Sequence, residues 1–190
     1  MPYQAIVIGS SAGGLHALKI IISGFSASFD TPIIVTQHLS PNSDNYLVQF
    51  LNQFTQLTVK EADEKEVILR GYVYIAPPNF HLLVEEDFTL SLNVEEKVNF
   101  ARPSIDVLFE TAAEAYKNQL IGIILTGANH DGAKGIARIK QKGGYTIAQS
   151  PDTAEAAAMP QAAINTGFVD QILKLEDIPV FLNKICKSKV

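Results

Sequence analysis

The feature that most constrains this chain is a set of short, unbroken apolar runs, each stopping at a glycine, a proline or a polar turn. Ala5-Ile6-Val7-Ile8 ends at Gly9, Ile33-Ile34-Val35-Thr36 ends at Gln37-His38, and Leu120-Ile121-Gly122-Ile123-Ile124-Leu125 ends at Thr126-Gly127. A strand exposed on one face alternates apolar with polar residues, whereas a strand covered on both faces reads as a continuous hydrophobic run. Between these runs lie longer stretches with helical spacing, such as Leu15, Leu18, Ile21 and Ile22, or Ile105, Leu108, Phe109, Ala112 and Ala113. Strand and helix in alternation predict an α/β fold: a doubly wound, mostly parallel sheet flanked by helices. With 190 residues the chain reads as one domain over 1–190, enough to bury roughly 70% of its unfolded surface.

Finer expectations follow. A helix is expected from Asp44 to Phe54, with Ser43 as its N-cap. The polar section from Lys60 to Arg70 interrupts the pattern, and Gly71 to Ala76 resumes it as a strand. His81–Val84 and Phe88–Leu92, joined by Glu85-Glu86-Asp87, predict an antiparallel hairpin near one edge of the sheet. Pro103 stands at the expected start of a helix, and Gly143-Gly144 at the end of another spanning Ala133 to Gln141. Tyr145–Ala148 reads as a strand, Ala162–Asn165 as a short helix, Phe168–Ile172 as a short strand and Ile178–Cys186 as a final helix.

Charge and composition narrow the function. The net charge is −5 and no run of Lys or Arg exists, so nucleic-acid binding has no electrostatic footprint. Met1 to Gln4 has no basic region of a signal peptide, and no window nears the ~20 apolar residues of a membrane span, so the chain reads as soluble and cytoplasmic, without direct membrane insertion. Cys186 is the only cysteine, which excludes an internal disulfide, and its neighbours Lys184, Lys187 and Lys189 are placed to lower its pKa. With no cluster of cysteine and histidine, a structural metal site is not expected.

In doubly wound sheets, ligands bind beyond the carboxyl ends of the strands. Three segments fall there. Gly9-Ser10-Ser11-Ala12-Gly13 fits Gly-x-Ser-x-Gly between a strand and a helix, a placement that pushes a serine out above the sheet and leaves backbone N–H groups, near Ala12 and Gly13, at a helix N-terminus to hold an oxyanion. The same turn reads alternatively as a phosphate cradle, with Asp30 as a ribose contact, or as a packing turn. His38 directly follows the second strand and is a candidate general base or a structural histidine. Asp131, in Thr126-Gly127-Ala128-Asn129-His130-Asp131-Gly132, is placed either to orient a histidine or to cap the next helix. His130 is a competing base; His16 and His81 read as surface or core residues. Serine, histidine and aspartate thus each follow a different strand at one edge of one sheet, and triads recur on unrelated folds in differing chain order.

Read together, several blocks resemble the catalytic domain of the chemoreceptor methylesterases, the CheB family: Ile8–Gly14, Gln37-His38, Tyr74-Ile75-Ala76-Pro77, Arg102-Pro103-Ser104-Ile105-Asp106, Leu125-Thr126-Gly127 with Asp131-Gly132-Ala133, Gly143-Gly144 through Gln149, and Met159-Pro160. The resemblance implies that Ser11, rather than Ser10, is the nucleophile, with His38 and Asp131 completing a triad. It implies backbone donors for the oxyanion at Ala12 and Gly13 and in the loop at Ala128. It implies hydrolysis of glutamate methyl esters on the cytoplasmic helical region of methyl-accepting chemoreceptors, with release of methanol, deamidation of receptor glutamines in some members, and no metal or organic cofactor. Two positions depart from the family pattern: Ala12, often threonine there, and Ala128-Asn129, often methionine and glycine. The phospho-receiver domain common in the family is not among these residues, so the chain either stands alone or was cut from a longer protein, with a receiver or other signalling domain as a further partner. Arg102 is placed either to touch acidic receptor residues or to form a structural salt bridge. The rival readings are a nucleotide-binding module, and a family member that binds receptors or signalling partners without turnover.

Overall fold

A computed structural model describes residues 3–40 and 45–186. Its elements, in chain order, are β1 (Ala5–Ser10), α1 (Gly14–Ser23), β2 (Ile33–Gln37), α2 (Tyr46–Asn52), β3 (Thr58–Glu61), β4 (Tyr72–Ile75), β5 (His81–Val84), β6 (Leu90–Asn93), α3 (Ile105–Tyr116), β7 (Leu120–Ile124), α4 (Ala133–Gln141), β8 (Tyr145–Gln149), α5 (Ala158–Asn165), β9 (Gln171–Leu173) and α6 (Asp177–Ile185). Seven strands form one parallel sheet in the order β3-β4-β2-β1-β7-β8-β9.

The continuous apolar runs have the cause expected of them. All six residues of β1 are buried, and successive side chains go to opposite faces. Ile6 and Ile8 join the layer formed with α1, α2 and α6, where Leu18, Leu51 and Leu182 pack. Ala5 and Val7 join the layer formed with α3, α4 and α5, where Leu108, Phe109, Ile136 and Met159 pack. On α1 the inward face includes Ala17, Leu18, Ile21 and Ile22, while Leu15 is left exposed. Each buried Leu or Ile contributes about 1.5–3 kcal/mol through area removed from water.

The hairpin forms a separate two-stranded sheet, β5 with β6, and Leu82, Val84 and Leu90 join the same apolar layer as α3. Strand β3 straddles the start of the section that the sequence marked as polar, Thr58 and Val59 lying ahead of it: only Val59 of its four residues is buried, as befits an edge strand. Helix α5 starts four residues before the expected Ala162, and β9 lies at Gln171–Leu173 rather than over Phe168–Ile172. Pro103 sits ahead of α3, not in its first turn, because Ser104 holds the extended N-cap position. The expected cap Ser43 lies outside the described residues.

The switch in winding falls at β1 and β7. On one side of β1 lie β2, β4 and β3, the chain reaching the edge at β3 before returning to β4; on the other, from β7, it builds outward through β8 and β9. The loops after β1, β2 and β7 therefore converge on one rim. Among the described residues, no helix is long and apolar enough to cross a membrane.

Candidate active site

Glycine makes the turn after β1 possible. Gly13 adopts a left-handed φ of 78° at the N-cap of α1. A Cβ on Gly14 would lie 1.8 Å from Gln37 Oε1. That space is used. The buried Ser10 hydroxyl donates to Gln37 Oε1 at 2.6 Å, and Gln37 Nε2 donates to the carbonyls of Ser11 and His38 at 2.9 and 3.0 Å. One glutamine side chain thus ties the serine turn to the residue after β2. The loop after β7 is tied to the same turn: Ser11 N–H donates to Thr126 O at 2.9 Å, and the Thr126 hydroxyl donates to Ala12 O at 2.8 Å.

These ties separate the two adjacent serines. Ser10 is wholly buried with its hydroxyl committed to Gln37. Ser11 is partly exposed, lines a cleft together with His38, Leu39, Asn99, Phe100 and Asn129, and its hydroxyl has no hydrogen-bond partner among the described residues. The N–H groups of Ala12 and Gly13 likewise donate to no described group, whereas the Ser11 N–H is spent on Thr126. Ala12 and Ala128 are exposed; neither they nor Gly13 line the cleft.

His38 Nε2 lies 2.9 Å from Asp131 Oδ2. The Asp131 carboxylate is fully buried and accepts four further hydrogen bonds. Ile105 N–H donates to Oδ2 at 2.6 Å; Asn99 Nδ2, the Ser104 hydroxyl and Asp106 N–H donate to Oδ1 at 2.8, 2.9 and 3.1 Å. Burial pushes the carboxyl pKa up, but the bonds from His38, Asn99 and the two backbone amides outweigh it and hold the group below the ordinary carboxylate value. Asp131 is therefore a cap, but of a different helix from the one expected. It closes the N-terminus of α3, while the helix that follows it, α4, is capped by Gly132 in a left-handed conformation. A charge at a helix N-terminus is favoured by the macrodipole as well.

The rest of the histidine inventory falls away from the cleft. His16 and His130 are exposed. His81 is buried, accepts Ser104 N–H at 3.1 Å and meets Glu96 O at 3.0 Å, which braces the segment that carries Asn99. Arg102 lines the same cleft and makes hydrogen bonds rather than a salt bridge among the described residues: it donates to Asn79 Oδ1 and to the carbonyls of Val94 and Glu95. Asp30 pairs with Arg70 at 2.5 Å, ahead of β2 and at the opposite end of the sheet from the glycine turn, so it makes no ribose contact there. Cys186 is buried; burial pushes its thiol up to about 11, the reverse of the shift expected from its lysine neighbours, of which Lys187 and Lys189 lie outside the described residues. Among the described residues no group of three or more His, Cys, Asp or Glu could hold a metal ion.

Three site residues were not singled out from sequence. Asn99 and Ser104 donate to Asp131 from a segment about thirty residues upstream, and Gln37 supplies the brace. The blocks Gln37-His38 and Arg102–Asp106 carried Gln37 and Ser104 as parts of the resemblance, without a role; Asn99 lay in none.

Comparison with known proteins shows the family. A family model described as CheB methylesterase matches residues 6–182. A Leptospira interrogans protein, provisionally named protein-glutamate methylesterase/protein-glutamine glutaminase, is 52% identical over 178 residues, covering 94% of this chain and 92% of that protein. A Thermotoga maritima protein of the same name is 39% identical over 179 residues, covering 93% of this chain and 52% of that longer protein. The crystal structure of the Thermotoga maritima CheB methylesterase catalytic domain superposes with a TM-score of 0.92 at 37% identity, covering 97% of this chain and 99% of that one. With a family match along nearly its whole length and relatives well above the identity at which a fold and lineage are shared, the chain belongs to the CheB methylesterase family.

Proposed function

We propose that this chain is a serine hydrolase that demethylates glutamate methyl esters on the cytoplasmic helices of chemoreceptors and deamidates receptor glutamines, working in the cytoplasm where those helices lie. The observation that carries the reading is the Asp131–His38 pair facing a cleft that Ser11 lines with an uncommitted hydroxyl. The names of the relatives supply the substrate class.

In this mechanism Ser11 Oγ attacks the ester carbonyl as His38 takes its proton. Asp131, ionised at neutral pH, holds the imidazole tautomer and stabilises the cation that forms. The N–H groups of Ala12 and Gly13, and a further donor from the loop at Ala128, are the groups this reading assigns to the oxyanion of the tetrahedral intermediate; one such donor is typically worth about 10²–10³ in rate. His38 protonates methanol as the ester C–O bond breaks. Water then attacks the acyl-enzyme, its proton passing to His38, and the glutamate carboxylate leaves while Ser11 regains its proton. A glutamine side chain follows the same path, with ammonia as the leaving group.

The test is to incubate the protein with receptor carrying radiolabelled methyl esters and count released methanol, beside Ser11→Ala. Release that vanishes in the variant is expected. Equal counts from both would exclude Ser11, and no release from either would favour a member that binds receptor without turnover.

A further inference from the structure

Both ring nitrogens of His38 are occupied. Nε2 meets Asp131, and Nδ1 lies 3.1 Å from Asn129 Nδ2. The orientation of the Asn129 amide is set by its other end: Oδ1 accepts the N–H of Asp131 at 3.0 Å, which only the oxygen can do. The NH₂ therefore faces the imidazole, and an NH₂ only donates. It follows that Nδ1 carries the lone pair and that Nε2 carries the proton shared with Asp131. This is the tautomer a general base requires. Yet the lone pair that must accept the Ser11 proton already accepts one from an amide, and the Ser11 hydroxyl is left without a described partner.

We infer that Asn129 is a positioning residue that gates His38, its amide occupying the base nitrogen in the resting site and yielding it when a carbonyl substrate arrives. This rests on the Ser11–His38–Asp131 reading above. Of the two groups on the ring, Asn129 is the one able to leave. Asp131 is buried under four other donors, whereas Asn129 is half-buried, lines the cleft and is anchored by a single bond to a residue two positions on. An ester or a primary amide brings an acceptor oxygen into that cleft. The Asn129 NH₂ has to give up Nδ1 before the ring can take the Ser11 proton, and that oxygen offers it only a partial replacement, so arrival of the right functional group frees the base at a residual cost of less than one hydrogen bond. The position is one where this chain departs from the glycine usual in its family.

Two substitutions separate gating from a merely structural role, because both keep an acceptor for the Asp131 N–H. Asn129→Ser removes the donor from Nδ1. Asn129→Asp puts a carboxylate oxygen there, which pairs only with a protonated Nδ1. The probe is a fluorophosphonate: Ser11 Oγ bonds to phosphorus, fluoride leaves and His38 takes the proton. Labelling is followed by intact mass and peptide mapping, with melting temperature and the ¹⁵N resonances of the His38 ring as companions. Asn129→Ser should label about three- to tenfold faster than the natural chain, the effect of freeing one hydrogen bond. Asn129→Asp should label more than about tenfold slower, its Nδ1 resonance moving to the protonated type. Equal labelling of the natural chain and Asn129→Ser, slower labelling of Asn129→Ser, or Asn129→Asp as fast as either, would overturn the gate while leaving Ser11 as nucleophile. No labelling of Ser11 in any of them would overturn the site reading and the gate with it. The ring resonances of the natural chain test the gate without any variant: at neutral pH a protonated Nδ1 would contradict it.

Discussion

Two buried carboxylates lie side by side at the start of α3, and the fold treats them in opposite ways. Asp131 accepts from His38, Asn99, Ser104 and two backbone amides, and is held below the ordinary carboxylate value. Asp106 is buried nearly as deeply. It accepts from Asn99 Nδ2 and Gly135 N–H at 2.8 Å each, and burial together with the neighbouring Asp131 charge pushes it above that value. The Asn99 amide, in a left-handed turn at φ 52°, serves both. The difference teaches that burial alone does not decide charge: the number of donors aimed at the group does. Asp131 has enough to be held low beside His38; at Asp106 burial and the neighbouring charge outweigh the donors, and the side chain packs as part of the α3–α4 junction.

Replacing the favoured carboxylate should have the largest effect. Asp131→Asn keeps the shape but offers an NH₂ where donors converge, so methanol release should fall by about 10⁴-fold, as when the acid of a serine triad is neutralised. Calorimetry should show a stability loss of about 1–3 kcal/mol from donors left unsatisfied. A small change in rate would contradict the role given to Asp131. Removing the shared donor comes next. Asn99→Ala should lower the release rate by about tenfold, equivalent to about 1.4 kcal/mol, and should lower the melting temperature. Ser104→Ala removes one donor of five; a stability loss of about 1 kcal/mol is expected in denaturant titration, with a smaller effect on rate.

The smallest effect belongs to Asp106, and it shows in pH rather than at one pH. Asp131, with its pKa lowered in the fold, contributes stability that is present above the ordinary carboxylate value near 4 and lost as pH falls through its folded value. Asp106, with its pKa raised, has the opposite sign: ionising it costs stability as pH rises through the ordinary value and up to the folded one. Asp106→Asn removes only the second contribution. Its stability should therefore rise more steeply between acid and neutral pH than that of the natural chain, with a difference at neutral pH within about 1 kcal/mol. Parallel curves would mean that the two carboxylates do not differ as described.

What was legible in the sequence follows the same division. Ser11, His38 and Asp131 could be read because each lies in the loop after a continuous apolar run, and such runs mark the interior strands β1, β2 and β7. Strand β3 was not legible, since Thr58, Lys60 and Glu61 are not buried and leave no apolar run. Asn99, Ser104 and Gln37 were illegible for another reason. Their bonds join residues 26–32 positions apart, and nothing local distinguishes an asparagine that caps a turn from one that reaches across to a carboxylate. Asp131 was read as a possible cap for α4; that it caps α3 depends on how the sheet brings the two helix ends together. Cys186 was misjudged because charge was counted along the chain, whereas burial beneath the α6 layer is what its thiol feels.

The most direct test of the whole account is to find where the acyl group goes. Rapid quenching of the protein with methyl-esterified receptor, followed by peptide mapping, should recover a glutamyl adduct on Ser11 that Asp131→Asn no longer accumulates at the same rate. An adduct on Ser10, whose hydroxyl is buried against Gln37, or methanol release with no adduct on either serine, would contradict it.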